Sequence, residues 1–180
     1  MWIQTATGRR FDLVNPHPSM VFFDDIAAAL SKICRFTGHV KAFYSVAQHS
    51  VLVSRLVPEH LRLQALLHDA AEAYVGDVSW PLKQLLPEYK RIEHKVWTVV
   101  ADRFGLPHTL DPLVKRADTI ALLMERRNLM QVGAEPLRWA PEFEELMPEV
   151  PDKHVFALNH NVAHNLFVAR FDEILERTRA

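Results

Sequence analysis

The stretch Leu63-Gln-Ala-Leu-Leu-His-Asp-Ala-Ala-Glu72 decides how this chain of 180 residues is read. Its apolar positions recur at helical spacing, so it predicts a buried helix. Set into that helix are His68, Asp69 and Glu72. Packing gives no reason for an imidazole and two carboxylates at such positions, because burying an unpaired charge is costly. A divalent cation is an economical partner for them. At 100° per residue His68 and Glu72 share a face, and Asp69 and Glu72 are neighbours three apart. His68 and Asp69 can converge on one ion, while Glu72 stands a turn further on, where a base suits better than a ligand.

Outward from that stretch the pattern is helical almost throughout. Asp24 or Asp25 can cap a helix carrying Ile26, Leu30 and Ile33. Ser45-Val-Ala-Gln48 has the form of a capping box and opens a helix through His49 and Val53 towards Val57. Pro58 and Glu59 suit the first turn of the helix that holds His68 and ends near Tyr74. Gly76 and Pro81 bracket a loop. Pro87 precedes a long helix that Gly105 stops, and Asp111-Pro112 opens another, past Asp118 to about Gln131. Pro136, Pro141, Pro148 and Pro151 mark a looser segment. A final helix carries Val162, Leu166, Ala169 and Ile174. Residues 1–22, with Pro16 and Pro18, read as an irregular or extended lead-in. The expectation is one all-α domain over residues 1–180, a compact helical bundle with its core at about 23–178.

Composition narrows the function classes. The formal net charge is −1, with 21 Lys and Arg against 22 Asp and Glu. That disfavours broad attraction to nucleic acid or anionic membrane, though not a small anion held by local cations. Cys34 is the only cysteine, so no disulfide framework or cysteine zinc site is expected, and a reducing cytoplasm is the expected compartment. No stretch approaches the roughly 20 apolar residues of a membrane span.

His49 and Asp118, each inside its own apolar helical stretch, complete a candidate ligand set with His68 and Asp69. Two imidazoles and two carboxylates suit a borderline metal such as Mn, Fe, Co, Ni or Zn, with Mg a further candidate. His160 and His164 are spaced four apart but have no carboxylate between them, and read as structural or surface histidines. Trp97, Phe104, Phe167 and Phe171 read as core or oligomer contacts and not as a cofactor box.

The ordered set His49, His68-Asp69 and Asp118 resembles the H…HD…D signature of the HD-domain phosphohydrolases, an all-α superfamily. The likeness extends to a small bacterial and phage subgroup of 5′-deoxynucleotidases and dATP triphosphohydrolases. It rests on Arg35-Phe36, Tyr44-Ser-Val-Ala-Gln-His-Ser50, His68-Asp-Ala-Ala-Glu72, Gly76-Asp77, Pro81-Leu-Lys83 and Lys115-Arg-Ala-Asp118. The resemblance implies one divalent metal ion on His49, His68, Asp69 and Asp118. It implies Glu72 as the group that orients or deprotonates the attacking water, and Asp77 as proton donor to the leaving oxygen. Arg35, Lys83 and Lys115 would hold phosphate, Phe36 stands where the subgroup often has tryptophan, and Pro81 would crowd a ribose 2′-hydroxyl. Gln48 replaces a commoner glutamate, a change expected to matter little. Homo-oligomers, dimers or hexamers, are implied, as is a bacterial or, for a phage protein, host cytoplasm.

The reading is a metal-dependent phosphohydrolase of 2′-deoxynucleotides, leaning to release of triphosphate from deoxynucleoside triphosphates. A deoxynucleoside monophosphatase is the alternative, and an inactive nucleotide-sensing module is the rival of another class.

Overall fold

The computed structural model describes residues 1–133 and 141–179. Within them the fold is all-α apart from one small hairpin. Strands β1 (Trp2–Gln4) and β2 (Arg10–Asp12) pair antiparallel, Ile3 opposite Phe11, around a turn in which Gly8 takes φ +81°. The lead-in is thus ordered. Each strand has only three residues, too short for alternation to announce it, yet Phe11 is fully buried and stacks on Tyr74 at 3.9 Å between centroids.

Helix α1 (Phe23–Leu30) follows, with Phe22 at its cap position. Asp25 does not cap it. That carboxylate is buried and accepts from the Thr7 amide at 2.7 Å, which ties the hairpin to the bundle. Helix α2 (Val46–Ser54) opens on Ser45, whose hydroxyl accepts from the Gln48 amide. Only half of the capping box forms. The Gln48 side chain turns away and donates to the Phe156 carbonyl at 2.5 Å, while its oxygen accepts from the Leu158 amide at 3.1 Å. Gln48 therefore matters more than the sequence suggested, since a carboxylate could not donate to Phe156. Gln48→Glu should cost about 1 kcal/mol, checked by urea unfolding, because a carbonyl acceptor loses its partner and meets a like-signed charge.

The predicted third helix is broken. After a short 3₁₀ turn, Glu59–Leu61, come α3 (Arg62–Leu67) and α4 (Glu72–Val75), with His68–Ala71 forming tight turns between them. The amides of Ala70 and Glu72 reach back only three residues, to Leu67 and Asp69. Gly76 ends α4 at φ 83°, ψ 158°, a conformation that essentially only glycine adopts. The expected loop beyond it contains a short helix, α5 (Trp80–Gln84), with Pro81 in its first turn. Helix α6 (Pro87–Phe104) ends on left-handed Gly105, and α7 (Pro112–Leu129) starts from Asp111, whose side chain accepts from the Leu113 amide, both as anticipated. The looser segment contains α8 (Pro141–Leu146) and a 3₁₀ turn, Met147–Glu149; Pro136 falls outside the described residues.

The last helix, α9 (His160–Arg179), buries a stripe that shares only Ile174 with the one anticipated. Ala163, Phe167, Arg170 and Ile174 point inward, while Val162 is 40% exposed. A buried arginine hid the stripe: Arg170 closes the end of α2, donating to the Ser54 hydroxyl and carbonyl at 3.0 and 2.9 Å. Trp97, Phe104, Phe167 and Phe171 belong to the main core, as read from their spacing. A second apolar cluster, including Val53, Ala65, Val114, Ala117 and Ala121, locks α2, α3 and α7 together. Among the described residues no helix is long and apolar enough to cross a membrane.

Candidate metal centre

The packing of α2, α3 and α7 brings the separated segments of the sequence to one point. His49 is fully buried on α2, His68-Asp69 occupy the break after α3, and Asp118 projects from the middle of α7. His49, His68 and Asp118 each offer a ligand atom within 4.8 Å of the others, and this group could hold a metal ion. Among the described residues no other His, Cys, Asp or Glu group does so, and His160 and His164 take no part. Nε2 of His49 lies 3.0 Å from Asp118 Oδ1 and 3.6 Å from Asp69 Oδ2. Nε2 of His68 lies 3.2 Å from Asp69 Oδ2 and 3.9 Å from Asp118 Oδ1.

The far sides of both rings are committed. His68 Nδ1 sits 2.8 Å from the Ala65 carbonyl, and His49 Nδ1 sits 2.6 Å from Glu125 Oε1. Carbonyl and carboxylate oxygens only accept, so each neutral ring carries its proton on Nδ1 and leaves Nε2 bare. Both Nε2 atoms are buried and make no hydrogen bond. Each faces the Asp69 and Asp118 carboxylates at the distances just given. Two orphaned lone pairs facing two carboxylates fit a divalent cation, and fit it with the outer ring nitrogens already held.

The electrostatics agree. Burial works against a charged His68, yet the Asp69 and Asp118 carboxylates outweigh it and hold the ring well above the usual imidazole range. His49 is raised too: burial and Arg35 pull it down, and Glu125 and Asp118 more than reverse that. Asp69, despite burial, is held down at about 2, chiefly by His68. Protons on the rings thus balance the carboxylates, and a cation would have to displace them.

Glu72, at the start of α4, is buried with Oε2 unpartnered. Burial, then the Asp69 and Asp77 carboxylates, push it well above the ordinary carboxylate range. Asp77 is raised chiefly by burial, with Asp69 adding to it against Arg35. Two acids with raised affinity for protons therefore stand beside the histidine and aspartate cluster. A cleft of about 380 Å³ opens there, lined among others by His68, Asp69, Glu72, Lys83, Lys90 and Lys115.

The remaining expected residues fare differently. Lys115 is exposed and lines the cleft. Lys83 lines it as well, but its ammonium is already bound to Glu93 at 2.7 Å and lies 3.9 Å from Glu72. Phe36 and Pro81 are not among the lining residues, and Pro81 is exposed at the start of α5. Phe36 and Thr37 both take positive φ, 57° and 54°, a strained pair for non-glycine residues. This turn places the Phe36 ring 5.2 Å from the Arg35 guanidinium.

Arg35 is held closer to the centre than a surface cation would be. The segment around Cys34 pairs with Ser45 as an isolated bridge, so Arg35 runs beside the start of α2. Its Nε donates to Glu125 Oε2 at 3.1 Å, and its Nη1 lies 3.7 Å from Asp69 Oδ2. Glu125 is the residue that sequence reading missed. It is fully buried, seven residues after Asp118 on α7 and hence near the same face two turns on. Tyr44 donates to it as well, at 3.0 Å. Glu93, the partner of Lys83, was missed likewise.

No protein-family model matches the chain. It is 42% identical over 175 residues to the uncharacterized protein YfdR of Escherichia coli strain K12, covering 97% of this chain and 96% of that protein. It is also 36% identical over 142 residues to the uncharacterized protein RCAP_rcc00048 of Rhodobacter capsulatus, covering 71% of this chain and 72% of that one. At that identity over nearly the full length of both proteins, the chain belongs to the same family as YfdR.

Proposed function

We propose that the protein is a metal-dependent phosphohydrolase of nucleotides, acting at the 5′ phosphate and releasing triphosphate from deoxynucleoside triphosphates. The observation that carries this reading is the pair of bare, buried Nε2 atoms facing Asp69 and Asp118 beside a cleft lined by Glu72 and lysines. The resemblance to HD-domain phosphohydrolases supplies the preference for deoxynucleotides. Among the candidate metals, Mn, Co, Fe, Ni, Zn or Mg, the two imidazoles favour a borderline ion over Mg.

His49, His68, Asp118 and Asp69 would hold the ion. When bound, such a cation acidifies water and polarises a phosphoryl oxygen. The chain's own groups do the rest. Glu72 takes a proton from the water whose oxygen forms the new bond to the α-phosphorus. The bond from that phosphorus to the 5′ oxygen breaks, and Asp77, raised by burial, gives the 5′ oxygen its proton. Arg35 Nη1, beside Asp69, faces one side of the departing charge. Lys90 and Lys115 on the cleft wall supply positive charge for further phosphates, which favours the triphosphate over the monophosphate.

The test is to incubate the protein with Mn²⁺ or Co²⁺ and each deoxy- and ribonucleoside mono-, di- and triphosphate, following products by phosphorus NMR. Tripolyphosphate from deoxynucleoside triphosphates is expected. Orthophosphate from monophosphates, with triphosphates untouched, would reassign the substrate. No turnover of any nucleotide, with binding retained, would sink hydrolysis and leave a sensor.

A further inference from the structure

Among the described residues, the one fully buried carboxylate that touches both a candidate metal ligand and a candidate phosphate contact is Glu125. Its three described partners are all donors. His49 Nδ1 and the Tyr44 hydroxyl meet Oε1 at 2.6 and 3.0 Å, and Arg35 Nε meets Oε2 at 3.1 Å. With a donor on each oxygen, Glu125 acts as an acceptor through both.

We propose that Glu125 is a positioning residue that ties the cation half of the centre to the anion half. Through Oε1 it keeps the His49 proton on Nδ1 and the Nε2 lone pair directed at Asp69 and Asp118. Through Oε2 it fixes the guanidinium of Arg35 by Nε, leaving Nη1, 3.7 Å from Asp69, turned towards an anion over the cation. Arg35 thus serves phosphate as an end-anchored fork and not as a mobile surface cation. The proposal rests on the metal-centre reading above and extends it to a residue outside the ligand set.

The chemistry of an amide makes this testable. Glu125→Gln keeps the shape but replaces one acceptor with an NH₂ group. Turned towards Arg35, that group opposes the Nε donor and releases the guanidinium. Turned towards His49, it donates to Nδ1 and moves the ring proton to Nε2, which blocks a metal ligand. Either orientation must break one arm. Tyr44→Phe is the control, since it removes a bond to Oε1 and leaves both arms.

Calorimetric titration with Mn²⁺, then with inorganic phosphate on the Mn²⁺-loaded protein, reads the two arms separately. Glu125→Gln should weaken Mn²⁺ binding by about 10–100-fold, or keep it and weaken phosphate by about tenfold, with Tyr44→Phe within about twofold on both. Independently of any variant, imidazole ¹⁵N spectra of the wild-type Zn²⁺ form should show His49 protonated on Nδ1. Glu125→Gln matching wild type for both probes overturns the proposal. A His49 ring that bears its proton on Nε2, or binds zinc through Nδ1, does so even where the variant fails to fold. Wild type that takes up neither Mn²⁺ nor Zn²⁺ instead overturns the metal reading itself.

Discussion

Asp118→Ala will fold and bind no cation. The Asp118 side chain is 44% exposed, so its removal opens no core cavity; the apolar contacts of α7 run through Val114, Ala117 and Ala121. What is lost is the carboxylate nearest His49 Nε2 and one of the two that face both Nε2 atoms. Groups that merely support a ligand are worth about 10–100-fold in metal affinity, so loss of a ligand must exceed that. Metal analysis after dialysis against micromolar Mn²⁺ should fall from about one ion per chain to a background level, with nucleotide turnover lost in parallel. Thermal unfolding supplies a second measurement. Wild type should gain stability with added Mn²⁺, by about 2.7 kcal/mol at a hundredfold excess over the dissociation constant, and Asp118→Ala should gain none. A variant that still takes up one ion would remove Asp118 from the centre.

Glu72→Gln separates chemistry from binding. If Glu72 accepts the water's proton, the amide should reduce kcat by about 10²–10⁴ while leaving Mn²⁺ uptake and nucleotide affinity close to wild type. Stability carries its own signature. The folded protein raises the affinity of Glu72 for its proton, so the carboxylate form opposes folding once the pH exceeds the unfolded value of about 4.3. Below that pH both states are protonated and the variant should match wild type. Above it the metal-free variant should melt higher, with the gap widening until the folded carboxyl ionises. A Glu72→Gln protein with undiminished kcat would give the base role to another group.

The helical class, both capped helices α6 and α7, and the convergence of His49, His68 and Asp118 were legible in sequence. Each rests on a local rule: periodicity, a glycine or aspartate at a helix end, metal-competent groups inside apolar runs. What was not legible depends on partners distant along the chain. Glu125 begins the polar run Glu125-Arg126-Arg127 and reads as a solvated turn; only the fold brings Arg35 and Tyr44, 90 and 81 residues away, to enclose it. Arg170 looks like the polar face of α9 until α2 presents Ser54 to it. The break at His68–Ala71 falls in an apolar helical pattern that no glycine or proline interrupts, and the bond of the His68 ring to Ala65 and its contacts to Asp69 and Asp118 belong to that break.

The stacking of Phe11 on Tyr74 gives the hairpin a bearing on the reacting groups. Tyr74 lies in α4, two residues after Glu72, and behind its ring the wall is built by a segment more than sixty positions earlier in the chain. Trimming those opening residues to make a shorter protein would strip the backing from the turn that carries Glu72. On the proposed function, the loss would surface first as slowed nucleotide turnover with Mn²⁺ uptake unchanged.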